Sequence, residues 1–240
     1  NMKVFVVFIG TAGSGKSTLT ASYGRWLREE MDSSVSIVNL DPAAEYIPYI
    51  PDFDVRKYIN AHEIAIKLGL GPNGALLKSM QMLVEEMHQI LEEIMRLESD
   101  YILVDTPGQM DFFVFGEAGP KFFEKLLRRS DVRAVSLLVM DATVIRRAED
   151  YAFMSIVAAA LQGRLGVDVI PVINKIDAVE NFKFIGDVVS DVEDLIKELS
   201  SRNSGIYGEL LKELVEVVSK YVKGIRVPHV SAKTLHNMEE

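Results

Sequence analysis

The sequence predicts an α/β protein with a three-layer P-loop NTPase fold, a mainly parallel sheet flanked by helices on both faces. Three observations predict it. Short, continuously apolar runs recur along the chain, as in parallel strands covered on both sides. Helical patterns fill the gaps between them, giving β–α–β units with right-handed crossovers. Gly10-Thr11-Ala12-Gly13-Ser14-Gly15-Lys16-Ser17 joins the first strand to the first helix and matches G-x-x-x-x-G-K-[ST] in the context that pattern requires.

The first strand is expected over 4–9. Lys3 followed by an apolar run superficially suggests a signal peptide. The run meets Gly10 and a polar glycine-rich loop instead of a small-residue cleavage site, so it is a strand. Asn1 precedes Met2 and is taken as a residue left by expression. A helix over 17–30 and a strand over 35–40 follow. From Pro42 to Pro72 the pattern is irregular, broken by Pro48 and Pro51, and a long irregular insert in a compact domain is often functional. A long helix is expected over 75–97, with Leu76, Met80, Leu83, Met87, Ile90, Ile94 and Leu97 on one stripe. Strands over 101–104, 134–140 and 169–173 alternate with helices over 121–129, 144–161, 185–199 and 209–222. A last short strand is placed near 225–229. Residues 2–240 are expected to form one domain, with 42–98 as insert and long helix.

Composition narrows the class. The chain has 240 residues, 48% hydrophobic and 25% charged, enough for a substantial core without staples. It has no cysteine, which excludes thiol catalysis and Cys-ligated zinc or iron–sulfur centres and fits a cytoplasmic protein. A net charge of −9 gives no broad positive field for nucleic acid or an anionic membrane. No apolar run is long enough to span a bilayer. The four histidines lack metal-ligand spacing.

The glycines of the 10–17 loop let backbone N–H groups point at phosphate oxygens, at a helix N-terminus that favours anions. Lys16 would reach the β- and γ-phosphates. Ser17 would bind Mg²⁺, and Thr18 continues the phosphate-binding stretch. Asp105 ends a strand in Asp105-Thr106-Pro107-Gly108-Gln109, at the edge where α/β sheets bind ligands. It is a second Mg²⁺ candidate, and the Gly108 N–H can approach a γ-phosphate. Asn174-Lys175-Ile176-Asp177 follows another strand. The Asp177 carboxylate can accept from guanine N1–H and N2, a donor pair adenine lacks. Asn174 can tie the base loop to the phosphate loop, and the Lys175 stem can cover the base. In Ser231-Ala232-Lys233 the Ala232 N–H can donate to guanine O6. Together these favour GTP over ATP. Asp41 and Gln109 are the candidates to hold an attacking water, Asp41 also being near enough in sequence to the second strand's end to serve the metal.

These motifs, with Asn39-Leu40-Asp41-Pro42-Ala43 and Gly71-Pro72-Asn73 before the long helix, resemble the GPN-loop GTPases over nearly the whole chain. The resemblance implies a SIMIBI-class, GTP-hydrolysing switch with GTP/GDP and Mg²⁺ as ligands and slow intrinsic turnover. It implies a homodimer, as in archaeal-type members, in which Asn73 reaches the partner's γ-phosphate. It also implies a protein client such as RNA polymerase subunits or their assembly factors, with no direct nucleic acid and no membrane. A lysine early in the loop, present in some SIMIBI relatives, is missing from Thr11-Ala12-Gly13. A final helix is implied after Lys233, where only 234–240 follow. Two other readings stand beside the switch: a P-loop kinase or ligase, and a GTP-binding scaffold that barely hydrolyses.

Arg56, Arg146 and Arg147 read as solvated charges. Phe112, Phe113 and Phe115 read as core or as a dimer or client surface. Met80, Met82, Met87 and Met95 read as core packing.

Overall fold

The computed structural model describes residues 2–180, 197, 205–221 and 227–239. Its strands are β1 (Lys3–Gly10), β2 (Val35–Asn39), β3 (Phe53–Asp54), β4 (Tyr101–Asp105), β5 (Val132–Asp141) and β6 (Asp168–Asn174). They form one sheet in the order β3-β2-β4-β1-β5-β6, with parallel pairing throughout. Five of the six fall on predicted apolar runs. β3 has no predicted counterpart, because two residues carry too little pattern to stand out.

The helices are α1 (Lys16–Glu29), α2 (Ala61–Leu68), α3 (Pro72–Met95), α4 (Met110–Val114), α5 (Ala118–Leu127), α6 (Ala148–Leu165) and α7 (Gly205–Tyr221). They cover both faces, and β1 shows how its residues sort by period two. Phe5, Val7 and Ile9 join the core cluster that also holds Leu83, Met87, Phe122 and Leu161 of α3, α5 and α6. Val6 and Phe8 join the opposite cluster with Leu19 and Leu27 of α1. The predicted α3 stripe is the buried one from Leu76 to Ile94, and Leu97 packs against its edge. Each fully buried Leu or Met there contributes roughly 1.5–3 kcal/mol. An Asp at Leu83, which is wholly buried, would break that face.

The 42–72 insert is more ordered than its prolines suggest. Asn60 caps α2, its Oδ1 accepting from the N–H groups of His62 (3.0 Å) and Glu63 (3.2 Å). Gly69 ends the helix in the left-handed region at φ 63°. Both signals are visible in the sequence: Asn with Glu three residues on, then Gly. Pro72 sits in the first turn of α3, where its missing N–H costs nothing, so that helix begins before the expected residue 75. α6 begins later than expected, because Asp150 Oδ2 accepts from the N–H groups of Arg146 and Arg147 and sets the cap there.

The helix expected over 185–199 lies outside the described residues but for 197. Of the strand expected near 225–229, the described part makes an isolated parallel bridge from His229 to Ile173. Of the three phenylalanines, Phe113 is core, Phe112 packs partly and Phe115 is exposed. Met80 and Met87 are buried in the core cluster, and Met82 and Met95 pack partly buried against that cluster.

Candidate functional site

Polar residues collect along one edge of the sheet. Gly10, Asn39, Asp54, Asp105, Asp141 and Asn174 end the six strands. The parallel register sets Asn39 beside both Asp105 and Asp54, and Asp141 beside Asn174. The carboxyl edge of an open parallel sheet is where such folds bind ligands.

The phosphate loop leaves β1 at Gly10, where a Cβ would lie 2.7 Å from the Val139 carbonyl oxygen. Gly13 and Gly15 take left-handed φ of 77° and 78°, and α1 starts directly after. Ser14 Oγ is buried and has no hydrogen-bond partner among the described residues. An orphaned buried donor, with a helix N-terminus behind it, fits a phosphate cradle. Lys16 is buried and donates to Asp105 Oδ1 and to the Thr106 carbonyl. Thr106 is held in turn by its hydroxyl to the Phe8 carbonyl at 2.6 Å. Thr11, Ala12 and Thr18 line the exposed side of the loop.

The base loop is bound to the phosphate loop through Asn174. Its Nδ2 donates to the Ser14 (3.1 Å) and Gly15 (3.4 Å) carbonyls, and its Oδ1 accepts from Ala232 N–H at 3.1 Å. The Ala232 N–H, assigned from the sequence to guanine O6, is thus engaged with Asn174. Lys175 sits at φ 63° and its Nζ donates to the Gly13 carbonyl (2.6 Å) and to Asp141 Oδ2 (2.8 Å). Asp177 is exposed, with Oδ1 accepting from Ser231 Oγ at 2.6 Å. That bond orients the carboxylate and leaves its second oxygen for a ligand. Lys233 is exposed beside them.

Asp141 escaped the sequence reading, since a lone Asp ending a strand carries no motif. Burial works against its charge, yet bonds from Lys175 and Thr143 outweigh it and hold its pKa below the usual carboxylate value.

A second polar group lies at the ends of β2 and β3. Asp41 Oδ1 accepts from Ala43 N–H (2.9 Å), which makes the turn before the insert, and Oδ2 accepts from Gly108 N–H (3.3 Å). Burial raises the Asp41 pKa, the bond from Ala43, the charge of Lys16 and the bond from Gly108 oppose it, and the Asp105 charge adds to it. Asp41 and Asp105 are therefore close enough to repel, with the Lys16 charge acting on Asp41 as well. Asn39 bridges to Asp54 at 3.0 Å and accepts from Asp41 N–H at 3.0 Å. Arg56 is not the solvated charge expected. Its guanidinium grips Asp54 through two nitrogens (Nε 3.0 Å, Nη2 2.7 Å) and donates from Nη1 to the Ala44 carbonyl at 2.8 Å, pinning the turn that carries Asp41. The Asp54-Val55-Arg56 pairing was legible only as composition, because nothing in the sequence shows that the pair is turned inward.

Gln109 precedes α4 and is exposed, with no side-chain hydrogen bond among the described residues. Asn73 is exposed in the first turn of α3. A cleft of about 750 Å³ is lined by Pro42–Glu45, which follow Asp41, and by Leu70, Pro72 and Ala75, which flank Asn73 in sequence. The fold thus brings Lys16, Asp41, Asp105 and Gly108 together, and Asn174 with Asp177, Ser231 and Ala232. It leaves Asn73 outside.

Known proteins resemble this chain in sequence and in fold. A family model described as "Conserved hypothetical ATP binding protein" matches residues 8–240. GPN-loop GTPase PAB0955 of Pyrococcus abyssi is 35% identical over 99% of this chain and 94% of its own. Its crystal structure superposes with a TM-score of 0.85, covering 98% of this chain and 93% of that one. GPN-loop GTPase 2 of Schizosaccharomyces pombe is 30% identical over 90% of this chain and 70% of its own.

This chain belongs to the GPN-loop GTPases.

It is accordingly a guanine-nucleotide-binding GTP hydrolase. The family model's description names ATP, whereas the relatives above are named GTPases. Mg²⁺ fits the residues present. Asp105 and Asp41 are hard oxygen donors at one place, and Ser17 Oγ is without a partner among the described residues. Magnesium takes one or two carboxylates together with substrate phosphates. In this GPN-loop GTPase no described helix is long and apolar enough to cross a membrane.

Proposed function

We propose that this GPN-loop GTPase is a Mg²⁺-dependent dimeric switch in which Asn73 of one copy serves the phosphate site of the other. The observation that carries the reading is that Asn73 is exposed in the first turn of α3 and makes no side-chain hydrogen bond to its own chain among the described residues. The insert around it also displays Tyr46, Ile50, Ile66, Leu68 and Leu77 to solvent. So many large apolar side chains on one insert mark a protein contact, and a second copy supplies a symmetric one.

Phosphoryl transfer is served by positioning and charge stabilisation more than by covalent chemistry. Bound Mg²⁺, held by Ser17 and Asp105 with Asp41 nearby, would neutralise charge between the β- and γ-phosphates. Lys16 leaves Asp105 to pair with those phosphates, and the Gly10–Ser17 amides cradle them. Asp41 accepts a hydrogen bond from the attacking water, its rotamer set by Ala43 and Gly108, and Gln109 assists from the next turn. Arg56, whose charge reaches Asp41, is committed to Asp54 and to the Ala44 carbonyl, so turnover without a partner group is slow. The resemblance adds a client, a protein complex such as RNA polymerase, whose assembly or escort in the cytoplasm the switch would drive.

The test is complementation. Asn73→Ala lacks the arm but keeps the phosphate loop; Lys16→Ala lacks the loop but keeps the arm. Each alone is expected to be slow, and mixing them is expected to restore turnover, because the mixed dimer holds one complete site. Dimers that form on mixing but stay as slow as the parents overturn the trans role. Extract partners retained with a non-hydrolysable GTP analogue but not with GDP would identify the client, and identical sets in both states would refute the switch.

A further inference from the structure

The segment 45–51 runs between the Asp41 turn and β3 without regular structure. Its ends are fastened: Arg56 holds the Ala44 carbonyl, and Asp52 exchanges bonds with Ile37, N–H to carbonyl at 2.8 Å and Oδ2 from N–H at 2.7 Å. Between them, among the described residues, a single hydrogen bond anchors the segment. The Tyr49 hydroxyl donates to Asp105 Oδ2 at 2.7 Å. Tyr46 and Ile50 point outward, 82% and 91% exposed, while the Tyr49 ring packs on the core cluster that contains Phe8 and Leu19.

Asp105 is almost wholly buried. Lys16 occupies one of its oxygens and Tyr49 the other, so its carboxylate plane is fixed. Lys16 belongs to the phosphates when nucleotide binds. Tyr49 makes no other hydrogen bond among the described residues, so its hydroxyl remains a donor to Asp105. A donor that holds one carboxylate oxygen leaves the other aimed at a metal, the usual office of an outer-shell partner.

We propose that Tyr49 is a positioning residue that sets the Asp105 carboxylate for a divalent metal and ties the 45–51 segment to it, so that metal at Asp105 orders that segment. The proposal rests on the assignment of Asp105 as a metal carboxylate. It gives the insert a direct line to the nucleotide site: what the metal does to Asp105 is transmitted through one phenol to the backbone that displays Tyr46 and Ile50.

The test compares full-length wild type, Tyr49→Phe and Asp105→Asn, each titrated with Mg²⁺ while a fluorescent GDP analogue reports binding, and again in EDTA. Tyr49→Phe is expected to need about tenfold more Mg²⁺ at the midpoint, the low end of the usual outer-shell effect, with its EDTA affinity unchanged. Hydrogen exchange gives a second readout on the same samples. Mg²⁺ added to the GDP complex slows the amides of 45–51 in wild type and leaves them fast in Tyr49→Phe. A shifted midpoint in Asp105→Asn with none in Tyr49→Phe overturns the role of Tyr49 and leaves the metal assignment intact. A shift in neither removes the metal from Asp105, and Tyr49 with it. Equal weakening of Tyr49→Phe with and without Mg²⁺ makes the tyrosine a packing residue and refutes the proposal.

Discussion

Asn174→Ala tests the joint on which the site depends. Asn174 is 1% exposed and links three separate loops. It gives one strong bond to Ser14 and a longer one to Gly15, and it accepts one from Ala232. Alanine removes all three and leaves the Ser14 carbonyl and the Ala232 N–H without this partner. An unmet buried partner costs about 1–3 kcal/mol, so the two good bonds together amount to about 3 kcal/mol. For a chain of this size that is a fall in melting temperature of about 6–12 °C. The loss should appear without nucleotide and be larger with saturating GDP, because wild type gains more from the ligand. Asn174→Asp sharpens the test: it keeps the acceptor for Ala232 but turns a carboxylate oxygen toward two carbonyls. Differential scanning fluorimetry of the three proteins, each with and without GDP, reads both effects. If alanine costs under about 1 kcal/mol, or if aspartate is as stable as wild type, the joint is not what holds the loops.

Two further outcomes follow from the same geometry. Asp177→Asn replaces an acceptor of two guanine donors by a carboxamide that can meet only one. GTP binding is expected to fall about 100-fold or more, with xanthosine triphosphate becoming the preferred ligand in competition titrations; a variant that still prefers GTP would refute the base site. Asp41→Asn is expected to abolish hydrolysis and yet melt higher than wild type at neutral pH, because it removes a charge that burial disfavours. The native state raises the Asp41 pKa, so it binds that proton more readily than the unfolded chain does, and wild-type stability rises as pH falls through the raised pKa toward the ordinary carboxylate value. The gain of the variant should therefore shrink over that window in paired melts, and a gain that persists at acid pH would show that Asp41 is not strained by burial.

Much of the site was legible because its pieces are local. A phosphate loop is a run of eight residues whose glycines, lysine and serine do their work within one turn of chain, so Gly10–Ser17 could be read directly. Asn174, Asp177, Ser231 and Ala232 were legible for the related reason that each follows the end of an apolar run. The sheet was legible because buried parallel strands are continuously apolar. α2 was within reach too, since Asn60, Glu63 and Gly69 punctuate it. The prolines on either side made that stretch read as irregular.

What the sequence could not carry is direction. Arg56, Tyr49 and Asp141 are common residues in common surroundings, and only the fold shows that the first grips Asp54, the second reaches Asp105 and the third receives Lys175. Those contacts join residues as far as 56 positions apart, as with Tyr49 and Asp105. They exist because parallel register brings six strand ends to one edge. Local chemistry was written in short runs of residues; which groups face one another was decided by the sheet order, because a side chain's partner depends on the strand beside it and not on its neighbours in the chain.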